Sequence, residues 1–261
     1  MTNESKESKA SSLERDSQDH PLERYADEKH AEDVHVHHAP KTFGDRFAFG
    51  FVKFLRVFAD AFFANRYGHR AVVLETVAAV PGMVSGAMLH LKCLRRMEDD
   101  HGWIRTLLDE AENERMHLMT FIEIAKPSKL ERALVIIAQG FFYVWFLILY
   151  LISTKSAHRV VGYLEEEAVV SYSEYLKMVE KGEVDNIAAP QLAKEYWNLS
   201  EDARLTDVIR VIRADEMMHR EVNHLIANKI KKEDADVKIY EDMSEDAIAK
   251  LRQYEARQFP D

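Results

Sequence analysis

A glutamate followed three residues later by a histidine puts a carboxylate and an imidazole on one face of a helix, because three steps of about 100° bring the two side chains round to the same side. Such a pair can hold a metal ion. The spacing alone is weak: with 27 Glu and 12 His in 261 residues, chance supplies about one occurrence. The sequence has five, beginning at Glu32, Glu98, Glu114, Glu216 and Glu221. Glu32 lies in a polar tail and Glu98 in the turn before Gly102. Glu114 and His117 share a helical stripe with Trp103, Leu107, Ala111, Leu118 and Phe121, and Glu216 and His219 share one with Leu205, Ile209, Ile212, Asn223 and Ile226. These two pairs are expected to be buried. Glu221 lies about 140° round from Glu216 at helical pitch, so Glu221 and His224 are expected to face solvent or a partner.

Two lone carboxylates interrupt apolar faces in the same way. Glu75 follows Ala71 and Val72 and precedes Ala78, Ala79, Gly82 and Gly86, small residues suited to close helix packing. In the run Glu165, Glu166, Glu167, only Glu165 is in phase with Val161, Gly162, Ala168, Val169, Tyr172 and Leu176. Glu166 falls in phase with Arg159, Ser173 and Lys177. An ionised carboxylate alone in a core is costly, and four in one bundle repel one another unless a cation compensates. Four Glu carry a charge that two divalent irons balance. One Glu from each of two helices with Glu-x-x-His from each of two others is the ligand pattern of di-iron carboxylate bundles. The single Cys93 excludes an intrachain disulfide, a cysteine zinc site and a Cys-ligated iron–sulfur cluster. Any metal is left to carboxylate and imidazole.

Long helices must position these residues. Only 9 Gly and 6 Pro occur while 31% of residues are charged, which disfavours a sandwich of short strands. Helical periodicity predicts six helices, over Phe47 to Phe63, His69 to Arg96, Trp103 to Ile124, Lys129 to Ser153, Ser156 to Val179 and Thr206 to Ile230. No internal stretch reads as a strand. The expected fold is all-α, a ferritin-like di-iron four-helix bundle with two additional hydrophobic helices that associate with membrane.

The two extra helices stand out by composition. Between Arg132 and Lys155 lie 22 residues without a charge, long enough to span a bilayer. Phe47 to Phe63 has a broad aromatic face and few charges, namely Lys53, Arg56 and Asp60. A lone spanning helix would separate flanking helices that the metal site needs in one bundle, so both segments are expected to lie in one leaflet.

The net charge of −10 argues against nucleic acid as a partner. It is concentrated at the ends: residues 1–40 carry −5 and residues 231–261 carry −3, leaving −2 on residues 41–230. Residues 1–40 are expected to be a disordered acidic tail, 41–230 the bundle with its membrane helices, and 231–261 a charged C-terminal tail. The His-Val-His-His run at His35 to His38 reads as a metal-binding tract or a solvated linker. The first thirty residues offer neither the apolar core of a secretory signal nor an acid-poor presequence.

The residues around the carboxylates resemble those of the alternative oxidases, cyanide-insensitive quinol oxidases. The resemblance rests on Leu-Glu-Thr at Leu74 to Thr76, Asn-Glu-Arg-Met-His-Leu at Asn113 to Leu118, Leu-Glu-Glu-Glu-Ala at Leu164 to Ala168, and Arg-Ala-Asp-Glu-x-x-His at Arg213 to His219. It covers about residues 41–228 and implies that Glu75, Glu114, His117, Glu165, Glu216 and His219 ligate two non-haem irons. It also implies oxidation of ubiquinol with reduction of O2 to water and no proton pumping. The protein would be a homodimer attached to one leaflet through Phe47 to Phe63 and Leu130 to Ser153. That leaflet would belong to a bacterial inner membrane on its cytoplasmic face or a mitochondrial inner membrane on its matrix face. The implied quinol pocket is Arg70, Leu74, Leu164, Glu167, Ala168 and Ser171. Tyr172, two turns beyond Glu165, would stand beside the irons in a redox role, and Asn113, His158, Trp197 and Asp215 would orient ligands. Cys93, inside a helix, does not match the family's regulatory cysteine, so thiol regulation is not expected. Rival readings are a di-iron desaturase or hydroxylase, which needs an electron-donor protein, an iron-binding or structural bundle, and the family's plastid relatives.

Overall fold

The structure is a computed structural model and describes residues 36–63, 66–100 and 102–230. Among the described residues there are seven helices: α1 Phe43–Phe63, α2 Tyr67–Arg96, α3 Trp103–Ala125, α4 Lys129–Ile152, α5 Thr154–Glu180, α6 Gln191–Tyr196 and α7 Leu205–Lys229. Six coincide with the periodic segments of the sequence. The seventh, α6, is too short for periodicity to reveal, and it sits in a loop closed by a lone antiparallel bridge between Ala188 and Arg204.

Local chemistry sets the ends. The N–H of Thr42 donates to Asp45 Oδ2 at 2.8 Å and the N–H of Asp45 donates to Thr42 Oγ1 at 3.1 Å, a reciprocal cap that starts α1 one turn before the aromatic run. Ser128 and Glu131 make the same box at the head of α4. Helices α2 and α3 stop where Met97 and Lys126 turn into the left-handed region at φ 54° and 49°.

Helix α5 packs mainly on α7 and α2 on α3, while α1 leans on α5 and α4 on α2. The four inner helices α2, α3, α5 and α7 therefore carry the candidate ligands, and α1 and α4 lie outside them. The approach of α2 to α3 is set by a missing side chain. A Cβ at Gly82 would collide with the Leu107 carbonyl oxygen and stand 2.9 Å from Ala111 Cβ. The stripe of small residues after Glu75 thus brings Glu75 up to the face that carries Glu114.

Both α2 and α4 are long and apolar enough to cross a membrane, yet 56% of the apolar window of α2 is buried against 17% of that of α4. Helix α2 is a core helix. On α4, Ile136, Ile137, Phe141 and Ile152 are 68–77% exposed, and on α1 Phe54, Val57, Phe58 and Phe62 are exposed. These are the two segments that the sequence marks for membrane.

Two expectations need correction. Residues 1–35 and 231–261 lie outside the described residues, but residues 36–40 pack on the bundle. The N–H of His38 donates to Glu166 Oε1 at 2.8 Å, and the Tyr163 hydroxyl donates to the His38 carbonyl at 2.9 Å. The boundary expected at residue 40 falls inside a segment tied down from His37 onward. Second, His224 is buried, not solvent-facing: its Nε2 meets Glu166 Oε1 at 2.9 Å and its Nδ1 accepts from Arg159 Nη1 at 2.8 Å. Glu221 is exposed as expected. Helical phase could not see this, because the N-terminal segment covers what would otherwise be an outer face of α5 and α7.

Gly82→Ala should lower stability by about 1–3 kcal/mol through overpacking, read as a fall in the denaturant midpoint with an unchanged slope.

Candidate metal centre

Each inner helix presents one carboxylate to the centre of the bundle, and α3 and α7 each add an imidazole. Glu75, Glu114, His117, Glu165, Glu216 and His219 are all at most 3% exposed. Their ligand atoms fall into two groups, Glu75, Glu114, His117 and Glu216, and Glu114, Glu165, Glu216 and His219, within each of which the atoms lie within 4.8 Å of one another. Glu114 and Glu216 belong to both. Two cations, one at each group, would share Glu114 and Glu216 and each be held further by one Glu and one His.

The hydrogen-bonding state of these atoms tests the fit. Glu75 Oε2, both oxygens of Glu114, both oxygens of Glu216 and His117 Nδ1 are buried with no hydrogen-bond partner. Buried polar atoms are nearly always paired, so such a group in one place fits a bound cation. His117 Nδ1 lies 3.2 Å from Glu216, 3.3 Å from Glu114 and 3.4 Å from Glu75. Its other nitrogen, Nε2, lies 3.4 Å from Asp215 Oδ2. With the proton on Nε2, facing Asp215, the Nδ1 lone pair is free to face a metal. On the second position His219 Nδ1 is 2.7 Å from Glu114 Oε1. The donor set fits two hard, divalent first-row cations, and carboxylate with imidazole suits iron.

Electrostatics says the same. Burial, followed by the repulsion of neighbouring carboxylates, pushes Glu114 and Glu165 well above the usual range. Burial and the charge of Glu114 hold Glu216 up at about 8. For His117 burial favours the neutral ring, but the charge of Glu114 and its carboxylate contacts outweigh it and raise the imidazole well above its usual value. Without cations the cluster keeps protons; with them it releases protons.

The side chains expected to orient the ligands divide into two sets. Asp215 accepts from Asn113 Nδ2 at 3.0 Å and from Trp197 Nε1 at 2.8 Å, and the Trp197 ring stacks on His117 at 5.8 Å. Asn113 also donates to the Tyr196 hydroxyl at 3.2 Å. Helix α6, invisible in the sequence pattern, thus carries Tyr196 and ends at Trp197. His158 belongs elsewhere: its Nδ1 meets Asn223 Oδ1 at 2.9 Å, and Asn223 Nδ2 donates to both oxygens of Glu110, at 2.9 and 3.0 Å, and to the His219 carbonyl at 3.0 Å. Glu110, raised to about 7 by burial, escaped the sequence reading although it stands one turn before Glu114 on the same face. Tyr172 donates a short hydrogen bond to Glu75 Oε1, and Phe121 stacks on its ring at 5.7 Å.

The sequence model of the family described as alternative oxidase matches residues 25–228. The chain belongs to the alternative oxidase family. It is 58% identical over 196 residues to the mitochondrial ubiquinol oxidase of Mangifera indica, which covers 75% of this chain and 62% of that protein. Alternative oxidase 3, mitochondrial, of Glycine max is 57% identical over 196 residues, 75% of this chain and 60% of that protein. Ubiquinol oxidase 2, mitochondrial, of Nicotiana tabacum is 59% identical over 192 residues, 74% and 65% of the two chains. The matched region thus spans about three fifths of the length of these relatives.

The residues expected to form the quinol pocket lie along α2 and α5. Arg70 and Ser171 are buried, and Leu74, Leu164, Glu167 and Ala168 are half-buried. Arg70 Nη1 donates to Asp60 Oδ1 at 2.5 Å. Glu167 pairs with Lys53 and, at 3.2 Å, with Arg56, which also reaches Glu174 at 3.0 Å and Asp60 at 2.9 Å. The three charges noted on α1 all face the bundle here, a placement the i, i+4 spacing of Arg56 and Asp60 allows but does not reveal. A separate cavity of about 570 Å³ is lined by Met88, Trp103, Tyr150, His158 and Ile226, among others, and by none of the six expected quinol residues.

The sign of a pH effect follows from Glu216. A carboxyl whose folded value is about 8 against an ordinary 4.5 stabilises the metal-free fold below 4.5 and loses that contribution as pH rises toward 8. Metal-free protein should therefore melt at lower temperature as pH rises through that window. Added Fe(II) under anaerobic conditions should raise the melting temperature more at the upper end than at the lower; a metal-induced rise independent of pH would contradict the assignment.

Proposed function

We propose that this chain is a membrane-bound quinol oxidase that oxidises two ubiquinols for each O2 reduced to two waters and pumps no protons. The observation that supports it most is the pair of four-residue groups sharing Glu114 and Glu216, next to a tyrosine hydrogen-bonded to Glu75. A bound iron pair would supply redox chemistry with dioxygen. Glu75 and His117 would hold one ion, Glu165 and His219 the other, and Glu114 and Glu216 both. Asp215 keeps the His117 proton on Nε2, and Trp197 and Phe121 keep water out. Tyr172 is in place to give an electron, with the proton of its hydroxyl directed at Glu75. Arg70 would donate to a quinone oxygen, Leu74 and Leu164 would cover the ring, and Glu167, Ala168 and Ser171 would complete the pocket.

Membrane attachment is through the exposed faces of α1 and α4, lying in one leaflet so that a quinol enters from lipid. Oxidation and reduction at one leaflet with no path across it release their energy as heat. The reading includes a homodimer, for which the exposed Leu91 and Leu94 on α2 offer an apolar surface.

Oxygen uptake by iron-loaded protein with a quinol as the only reductant, insensitive to cyanide, is the deciding measurement. Glu75→Ala should lower uptake by about a hundredfold or more, given that even groups behind the ligands are worth 10–100-fold. A desaturase or hydroxylase would need a donor protein, and an iron-storage bundle would bind iron without consuming O2 on quinol. Ile137→Asp and Phe141→Asp should each weaken flotation with liposomes by about tenfold or more, since a charge in the apolar interior costs roughly 2.5 kcal/mol or above.

A further inference from the structure

The chain before α1 runs along the seam between α5 and α7 in a definite direction. Asp45, at the head of α1, meets Arg159 on α5 at 2.8 Å. Earlier in the chain, the His38 carbonyl accepts from the Tyr163 hydroxyl at 2.9 Å, the His38 N–H donates to Glu166 Oε1 at 2.8 Å, and His37 Nδ1 meets Glu166 Oε2 at 2.5 Å. The His38 ring stacks on His224 of α7 at 4.8 Å. The chain therefore climbs α5 from Arg159 to Glu166 as its own numbering falls, which aims the residues before 36 at the next turns of the same face. Those turns are basic. Arg213 Nη1 donates to Ser173 Oγ at 3.3 Å and Arg210 pairs with Glu180 at 3.0 Å, so both arginines of α7 reach across to α5. The acids nearby are engaged, Asp207 with Arg210, Glu221 with Arg220 and Glu174 with Arg56. Among the described residues Arg213, half-buried, and Lys177, exposed, lie in no ion pair. Burial and the charge of Arg210 push the Arg213 guanidinium down, the mark of a cation short of an anion.

We propose that the chain before residue 36 continues along this seam and lays Glu32 and Asp33 against Arg213 and Lys177. Length supports the register. Glu166 and Lys177 are about three turns apart, roughly 16 Å at helical rise, a distance that extended chain covers in about five residues. Counting back from His37 by that number ends at Glu32. Charge supports the occupant, since residues 1–35 hold ten acids against five bases. His37 and His38 anchor the arm, and the acids before them extend its grip. The arm ties α5 to α7 from outside, and those two helices carry Glu165, Glu216 and His219. Ion pairs at a surface are weak singly and screened by salt, so the arm is released as ionic strength rises.

Ala31→Cys and Glu180→Cys are introduced together into the full-length chain, with Cys93→Ala removing its own thiol, and disulfide formation is followed on non-reducing gels. Iron content and melting temperature check the fold of every variant. The disulfide should form within one chain, and about fivefold more slowly when Glu32→Gln and Asp33→Asn are added or when Arg213→Gln is added, as two surface ion pairs allow. Raising the salt to about 1 M should slow it similarly. Arg213→Glu should slow it further, and Glu32→Lys with Asp33→Lys should restore the rate in that background. The substitutions at residues 32 and 33 leave the bundle untouched, so the test survives if an Arg213 variant fails to fold. A rate indifferent to both salt and the charges at residues 32 and 33 overturns the proposal. So does a disulfide that forms between two chains, which would seat the arm on a second copy.

Discussion

Four carboxylates forced together out of water are the constraint on which this molecule is organised. At full ionisation they would repel one another inside a medium that barely screens them, and among the described residues Tyr172 satisfies one oxygen of Glu75 while most of the others have no hydrogen-bond partner. Unpartnered oxygens on Glu75, Glu114 and Glu216 converge, while the nearest histidines turn Nδ1 toward them. Such an interior has two stable conditions, protonated or metal-filled. The second is the one that pre-organises the centre for chemistry.

The remaining architecture serves that cluster by removing freedom from each ligand. Gly82 lets α2 come close enough to α3 for Glu75 and Glu114 to meet in one cluster. Asp215, itself held by Asn113 and Trp197, fixes the ring of His117 from behind. Asn223 does a related job on the other helix, spanning Glu110, His158 and the backbone of His219. The arrangement is built from rigid helices, with only Trp197 delivered from a loop. That loop is pinned by backbone bonds from Ala189 to Ala203 and from Leu205 to Ile187.

Much of this was legible from the chain, for a physical reason. A carboxylate in phase with an apolar stripe is anomalous, so Glu75, Glu114, Glu165 and Glu216 announced themselves by helical phase alone, and the long helices that carry them were visible by the same periodicity. Phase has no power over what covers a face from elsewhere in the sequence. His224 and Glu166 looked exterior because the segment around His37 and His38 that buries them is distant in the chain. Glu110 was lost among ordinary surface acids, since its burial depends on Asn223 across the helix pair. The partners of Lys53, Arg56 and Asp60 depend on how α1 lies against α5, which no one-dimensional pattern encodes.

The contact between those two helices has a mechanical meaning. Asp45, at the head of α1, and Arg159, on α5, meet at 2.8 Å and are both nearly inaccessible to water. Burial works against the charge on Asp45, but the bonds from Thr42 and Arg159 hold it down at about 2. Arg159 continues to His224 and Asn228 on α7. A helix with an exposed apolar face is thereby tied to two of the helices that carry the candidate ligands. The height of the carboxylate cluster above the acyl chains is then a dimension of the protein, not of the bilayer. A membrane that thins, thickens or changes composition would then tilt or sink the whole molecule rather than move α1 against the carboxylate cluster.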